Sequence, residues 1–305
     1  MSATPWTTTD IPDQSGRVAV VTGSNTGLGL ATAEALAGSG AEVVMAVRNL
    51  DKGEAAKAQI LEAHPKATIH LQTLDLASLD SVRTTAGEIL ERHDHLDLLI
   101  NNAGVMYTQW QTTTDGFEFQ MGVNHLGHFA LTIALLDRLM ATTGSRVVNV
   151  SSVGHKFKSK LDPSTMMSGE SYDRIAAYGR SKLANLLFTY ELQGRLAAAG
   201  SSTAALVAHP GISKTELGRN APRSVRFMER FSGPFLQSAH QGALPQLRAA
   251  TDPAATGGQY YGPDGFMEGR GTPVVVTSSE RSHDEKLQRE LWGESERLTA
   301  TTSPI

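Results

Sequence analysis

Tyr178 and Lys182 stand four positions apart in the run Tyr178-Gly179-Arg180-Ser181-Lys182. On a helix that spacing puts both side chains on one face, so both reach one point. A phenol with an ordinary pKa of about 10 is a poor proton donor or base near neutral pH unless a positive charge stabilises the phenolate. The lysine is such a charge. A pair of unrelated residues on a helix surface has the same spacing, so the surrounding chain must decide. Ser151 and Ser152 end an apolar run; a hydroxyl there either holds a carbonyl oxygen or caps the following loop. Asn124 lies inside a long apolar helix pattern and serves either local packing or a site. His125 and His128 have the i, i+3 spacing of a metal pair, but no third ligand accompanies them and no metal is expected.

These residues need a frame, and the stretch Val18-Ala-Val-Val-Thr-Gly-Ser-Asn-Thr-Gly-Leu-Gly29 supplies its centre. The β-branched start reads as a strand buried on both faces. Glycines follow at 23, 27 and 29, and then Leu28, Ala31, Ala35 and Leu36 recur at helical spacing. A strand, a glycine turn and a helix in succession aim unpaired N–H groups and the positive end of a helix dipole at one point, which suits the pyrophosphate of a dinucleotide. The turn equally suits tight packing of a helix on a sheet. No Gly-Lys-Ser/Thr follows, which argues against a nucleoside triphosphate loop.

Further along, strands are expected at 41–47, 67–76, 96–101, 145–152, 202–209 and 273–279. Helices are expected at Asp51 to His64, ended by Pro65; at Leu79 to Arg92, capped by Ser78; at Phe119 to Met140; and at Tyr178 to Ala199. The alternation predicts an α/β doubly wound fold of about seven parallel strands, helices on both faces and the ligand at the strands' carboxyl ends. Residues 153–175 and 212–238 lack periodicity, as functional loops do. The second holds Leu217, Phe227, Met228, Phe231, Phe235 and Leu236, too apolar for a solvated linker.

The chain has 305 residues, 40% hydrophobic and 19% charged, with a net charge of -4 and no cysteine. That composition is ordinary for a globular protein, shows no basic footprint for nucleic acid, and excludes disulfides and thiolate chemistry. Residues 1–16 carry neither a basic region nor an apolar core, and no run reaches the ~20 apolar residues of a membrane span, so a cytoplasmic location is expected. No shift in composition marks a boundary. The expected organisation is an N-terminal extension over 1–16 and one domain over 17–305, with a substrate loop at about 212–238.

Thr22-Gly23-Ser24-Asn25-Thr26-Gly27-Leu28-Gly29 closely resembles the cofactor motif of the short-chain dehydrogenase/reductase family. Asn101-Asn102-Ala103-Gly104, the Tyr178/Lys182 pair and His209-Pro210-Gly211 with Thr215 resemble further family segments, in family order, over about residues 17 to 280. The resemblance implies a single-domain Rossmann fold that binds a nicotinamide dinucleotide. By that likeness Gly23, Ser24, Asn25, Thr26, Gly27, Leu28, Gly29, Asn102, Ala103 and Gly104 approach the cofactor. Asp75 and Leu76 resemble the segment near the adenine, and Pro210, Gly211 and Thr215 the wall of the nicotinamide. Tyr178 and Lys182 would contact it too. Alignment to the family assigns the catalytic hydroxyl to Ser152 rather than Ser151, and gives Asn124 the steadying of a water beside the lysine. The second strand ends Ala46-Val47-Arg48-Asn49. The acid that would meet a free ribose 2′-hydroxyl is missing there, and Arg48 beside its place suits a 2′-phosphate, so NADP is favoured over NAD. A solvated surface arginine is the other reading of Arg48, and a helix-capping aspartate that of Asp75.

Ser152 and Tyr178 are 26 positions apart, longer than usual for the family, and Tyr172 lies in that insertion. The insertion, the Ser181-Lys-Leu-Ala-Asn185 run and the C-terminal Leu291-Trp-Gly-Glu-Ser-Glu-Arg-Leu-Thr299 look most like the retinol-dehydrogenase-like branch. The resemblance implies hydride transfer between NADP(H) and a small-molecule carbonyl or alcohol, with self-association a family habit; the phenylalanines and methionine of the 212–238 segment point to a mainly apolar substrate. The alternatives are a silent dinucleotide sensor, or an epimerase or dehydratase using the same tyrosine; intact Ser152, Tyr178 and Lys182 argue against the first, and the lack of a second domain against the other.

Overall fold

In the computed structural model, which describes residues 5–212 and 237–305, the described strands form one sheet in the order β3-β2-β1-β4-β5-β6-β7-β8. They are β1 (Val18–Thr22), β2 (Glu42–Val47), β3 (Ile69–Thr73), β4 (Leu98–Asn101), β5 (Arg146–Val150), β6 (Ala204–Ala208), β7 (Tyr260–Pro263) and β8 (Pro273–Val275). The first seven run parallel, and β8 pairs antiparallel with β7. The seventh parallel strand is therefore Tyr260–Pro263, and the segment expected at 273–279 is an antiparallel edge. Glycine and proline disfavour strands away from edges, so Tyr-Tyr-Gly-Pro is not among the expected strands.

Strand alternation divides the apolar residues cleanly. Val20, Val44, Leu99, Val147 and Ala205 face one core, with α3 (Leu79–Arg92), α5 (Gly127–Ala141), α6 (Arg174–Ala198) and α8 (Glu285–Thr299). Val21, Met45, Ile100, Val148 and Leu206 face the other, with α1 (Gly27–Gly38), α2 (Leu50–Ala63) and α7 (Ala239–Thr251). Trp6 lies in that second core, with Ile11 packed against it, so the stretch read as an extension touches the domain at these residues while Thr7 to Asp10 are exposed. The helices α7 and α8 were not expected. Ser238 and Gln241 form a capping box at the head of α7, and Leu287, Leu291, Trp292 and Ser295 are the buried stripe of α8.

The strand order turns back between β1 and β4, where the crossovers diverge to opposite faces and open a crevice at the strands' carboxyl ends. Two departures bear on what lines it. Asp173 caps α6 through bonds from the N–H groups of Ile175 and Ala176, so the helix starts at Arg174 and Tyr178 sits in its second turn. The long helix expected from Phe119 comprises a turn α4 (Phe119–Met121), a π-helical turn (Gly122–Leu126) and α5.

Candidate active site

Gly23 leaves β1 with a φ of +66°, and a Cβ on Gly29 would stand 2.4 Å from the Gly23 carbonyl oxygen. Only glycine lets these two backbones nest. Thr22 Oγ1 accepts from the N–H groups of Asn102 and Ala103, both at 3.0 Å, and Asn102 Nδ2 donates to the Thr22 carbonyl at 2.8 Å. The exits of β1 and β4 are thus locked together. Thr26, at the head of α1, makes no side-chain cap bond, whereas Asn49, Ser78, Asp173, Ser238 and Asp284 cap α2, α3, α6, α7 and α8. The start of α1 lies on a cavity of about 410 Å³ walled by Gly23, Asn25, Thr26, Gly27, Leu28 and Gly29, by Asn102, Ala103 and Gly104, and by Arg48, Asp75 and Leu76. Uncapped N–H groups at a helix start, on a glycine floor, fit the diphosphate of a dinucleotide. Ser24 turns inward: its buried hydroxyl donates to the Val21 carbonyl at 3.0 Å and shapes the loop from inside.

Exposed Arg48 lines the cavity together with Asn49 and Lys52. Lys52 went unnoticed in the sequence, although Asn49 followed by a lysine three positions on marks a cation in a helix's first turn. Asp75 lines the cavity and caps no helix: its Oδ1 accepts from the Ala77 N–H at 3.0 Å in the turn before α3, whose cap is Ser78.

At the other end of the crevice Ser152, Tyr178 and Lys182 come together. Ser152 Oγ accepts from the Gly154 N–H at 3.1 Å, and a Cβ on Gly154 would stand 3.3 Å from Ser152 Oγ and 3.1 Å from the Tyr178 ring, so the serine and the phenol flank one glycine. Lys182 Nζ lies 5.9 Å from the centre of the Tyr178 ring and donates to the Val150 carbonyl at 2.9 Å. Burial pushes the Tyr178 phenol up to about 12, against the smaller lowering by Ser152, and burial brings Lys182 down to about 8. No lowering by Lys182 stands beside these causes; desolvation dominates at a ring 7% exposed. Ser151 is turned away, its hydroxyl donating to the Lys182 carbonyl at 2.8 Å.

Asn124 sits in the π-helical turn, fully buried. Its Oδ1 accepts from the Val105 N–H at 2.8 Å, while its Nδ2 donates to the Val105 carbonyl at 3.0 Å and to Ser181 Oγ at 2.9 Å. A Cβ on Gly104 would stand 3.2 Å from Asn124 Oδ1 and 3.5 Å from Lys182 Nζ, so glycine keeps this space open between β4 and α6. His125 and His128 diverge. His125 Nε2 pairs with Ser295 Oγ at 2.9 Å; His128 donates from Nδ1 to the Asn124 carbonyl at 3.1 Å, which leaves Nε2 to accept from Thr22 Oγ1 at 2.9 Å. Among the described residues no cluster of histidine and carboxylate side chains has the makings of a metal site.

After β6, Pro210 and Gly211 lie where the nicotinamide wall is expected. Gly211 has a φ of +66°, and Gln237 Nε2 donates to the Pro210 carbonyl at 3.0 Å. Gln237 is a further residue that the sequence did not single out. Thr215 and almost all of the apolar 212–238 segment lie outside the described residues.

The family model of the short chain dehydrogenases matches residues 17–225. Human retinol dehydrogenase 13 is 40% identical over 296 residues, 95% of this chain and 86% of that protein, and human retinol dehydrogenase 12 is 41% identical over 280 residues, 92% and 85%. A solved structure of an uncharacterized protein from Mycobacterium Paratuberculosis is 41% identical, with a TM-score of 0.83 over 99% of this chain and 100% of that one. With the glycine turn, the Ser152–Tyr178–Lys182 group and these likenesses agreeing, the chain belongs to the short-chain dehydrogenase/reductase family, in its retinol-dehydrogenase-like branch, and is an NAD(P)-dependent oxidoreductase of alcohols and carbonyls.

Proposed function

We propose that the chain interconverts an apolar carbonyl compound and its alcohol with NADP(H) as the preferred cofactor, using Ser152 and Tyr178 on the reacting oxygen. Bound in the crevice, the nicotinamide supplies or accepts the hydride. The observation that carries the reading is that Ser152 and Tyr178 flank Gly154, with Lys182 one helical turn on and its Nζ 5.9 Å from the centre of the Tyr178 ring. The Tyr178 phenol carries its proton at neutral pH and is the donor for a carbonyl oxygen gaining charge, while the Ser152 hydroxyl orients that oxygen. Burial, which lifts the phenol to about 12, opposes that transfer, and the positive charges of Lys182 and a bound nicotinamide favour it. Lys182, near 8, keeps most of its charge at neutral pH and favours the phenolate left behind. Asn124 holds the Val105 backbone beside this group. Arg48 and Lys52, on the wall at the end of β2, offer paired cations to a 2′-phosphate. The apolar preference rests on the composition of residues 212–238 and on the name of the relatives, retinol being an apolar alcohol. A cytoplasmic location belongs to the same proposal.

A panel of carbonyls read by NADPH absorbance tests the reading. Apolar aldehydes or ketones turn over and small charged keto acids do not; Tyr178→Phe lowers kcat by roughly 10²- to 10⁴-fold while NADPH binding, followed by fluorescence, survives. Charged acids as the better substrates would overturn the substrate class, and near-normal activity in Tyr178→Phe would overturn the mechanism.

A further inference from the structure

Tyr107 follows the β4 exit and holds a left-handed backbone, with a φ of +56°, that a tyrosine rarely adopts. Such conformations persist only where the surroundings impose them, and they gather at functional sites. The constraint is visible. The Tyr107 N–H donates to Gln120 Oε1 at 2.8 Å, and Gln120 is fully buried. Gln120 Nε2 donates in turn to the Tyr172 hydroxyl at 2.8 Å and to the Arg174 carbonyl at 3.1 Å. The Tyr172 hydroxyl donates to Glu118 Oε1 at 2.9 Å, and that carboxylate also accepts from the N–H groups of Gln120 and Met121. The Tyr172 ring stands edge-on to Trp110, with centroids 5.2 Å apart. The chain of contacts ends at the reacting group: the Tyr107 ring packs edge-on to the Tyr178 ring, centroids 5.3 Å apart.

We infer that Gln120 and Tyr172 are positioning residues of the reaction, which together hold Tyr107 against Tyr178 and make the Tyr107 ring a wall of the substrate pocket. Through Tyr172 the segment between Ser152 and Tyr178 thereby acts on the reacting end by way of hydrogen bonds, in addition to the direct contact at Gly154. This rests on the reading of Tyr178 as the proton donor.

The test is a double-mutant cycle of Tyr172→Phe and Tyr107→Gly, the glycine removing the ring while tolerating the left-handed backbone. Tyr172→Phe lowers kcat/KM for an apolar carbonyl about tenfold, as one lost buried hydrogen bond can, chiefly through KM. It leaves NADPH affinity unchanged and speeds hydrogen exchange at the Tyr107 amide. Tyr107→Gly loses at least as much, and the double variant is no worse than Tyr107→Gly alone. Additive losses, or a Tyr172→Phe protein with wild-type kcat/KM and wild-type exchange at Tyr107, would overturn the inference. Failure of the Tyr178 assignment shows separately as an active Tyr178→Phe, and the exchange measurement needs no turnover.

Discussion

Ser151 donates its hydroxyl to the Lys182 carbonyl oxygen, whereas its neighbour Ser152 meets the Tyr178 hydroxyl. Successive side chains of an extended chain point to opposite sides, so two adjacent serines tie β5 to α6 in different ways. Ser152→Ala should lower kcat roughly 10²-fold, since one polar contact to the reacting oxygen is lost. It should also lower stability by about 1 kcal/mol through the lost bond from the Gly154 N–H, so kcat is the readout that separates the two serines. Ser151→Ala should cost about 1 kcal/mol of stability, the net worth of a buried hydrogen bond, and leave kcat within a few fold. Kinetics on both variants decide, and melting curves check the two stability losses; the opposite pattern of kcat would exchange their roles.

Most of this frame could be read in advance because it repeats simple periods. Buried parallel strands are unbroken apolar runs, and Ser78 and the Tyr178/Lys182 spacing carry their signals within a few residues. Residues whose role depends on long-range contacts stayed hidden. Gln120 and Gln246 are polar side chains in helical stretches like any other, yet Gln246 lies 3.3 Å from Asn102 Oδ1, across 144 positions of chain. Tyr260–Pro263 carries no strand signal of its own, because its strand character comes from pairing with β6. The rise of the Tyr178 phenol is out of reach of the sequence for a related reason, since burial is a property of the packed chain.

Arg48→Asp should turn cofactor preference toward NADH. A charge-assisted contact is worth about 1.5 to 3 kcal/mol, and the new carboxylate repels a phosphate besides, so the NADPH-to-NADH ratio of kcat/KM should fall about 10²-fold. Lys52→Ala should move the same ratio the same way and less. A ratio unmoved by Arg48→Asp would make it a surface residue only.

Stability should fall in mild acid. Burial lowers His125 to about 3 and both His128 and His155 to about 4, below the ordinary 6.5. Between those values and 6.5 the unfolded chain binds more protons than the folded one. The stabilisation from keeping them neutral is therefore complete above about pH 6.5 and is lost as pH drops toward 4, by about 1.4 kcal/mol per pH unit for each ring. His155 links this to the site, with Nδ1 2.6 Å from the Ser152 carbonyl and Nε2 accepting from the Ser279 N–H at 3.1 Å, a bond that protonation removes. Melting temperature measured across that interval checks the sign; a flat profile would contradict it.

The π-helical turn at Gly122–Leu126 carries a consequence for anyone reshaping this protein. A widened turn is what a helix keeps when one surplus residue is squeezed into it, and shortening the chain by that residue would straighten the rod. Each residue of an α-helix advances roughly 100° around the axis, so the repaired helix would carry Asn124 away from Val105 and Ser181. Thermostabilising design that rewards regular geometry would choose this repair, and in making it would dismantle the junction beside Lys182. The irregular turn is what sets Asn124 against Val105 and Ser181.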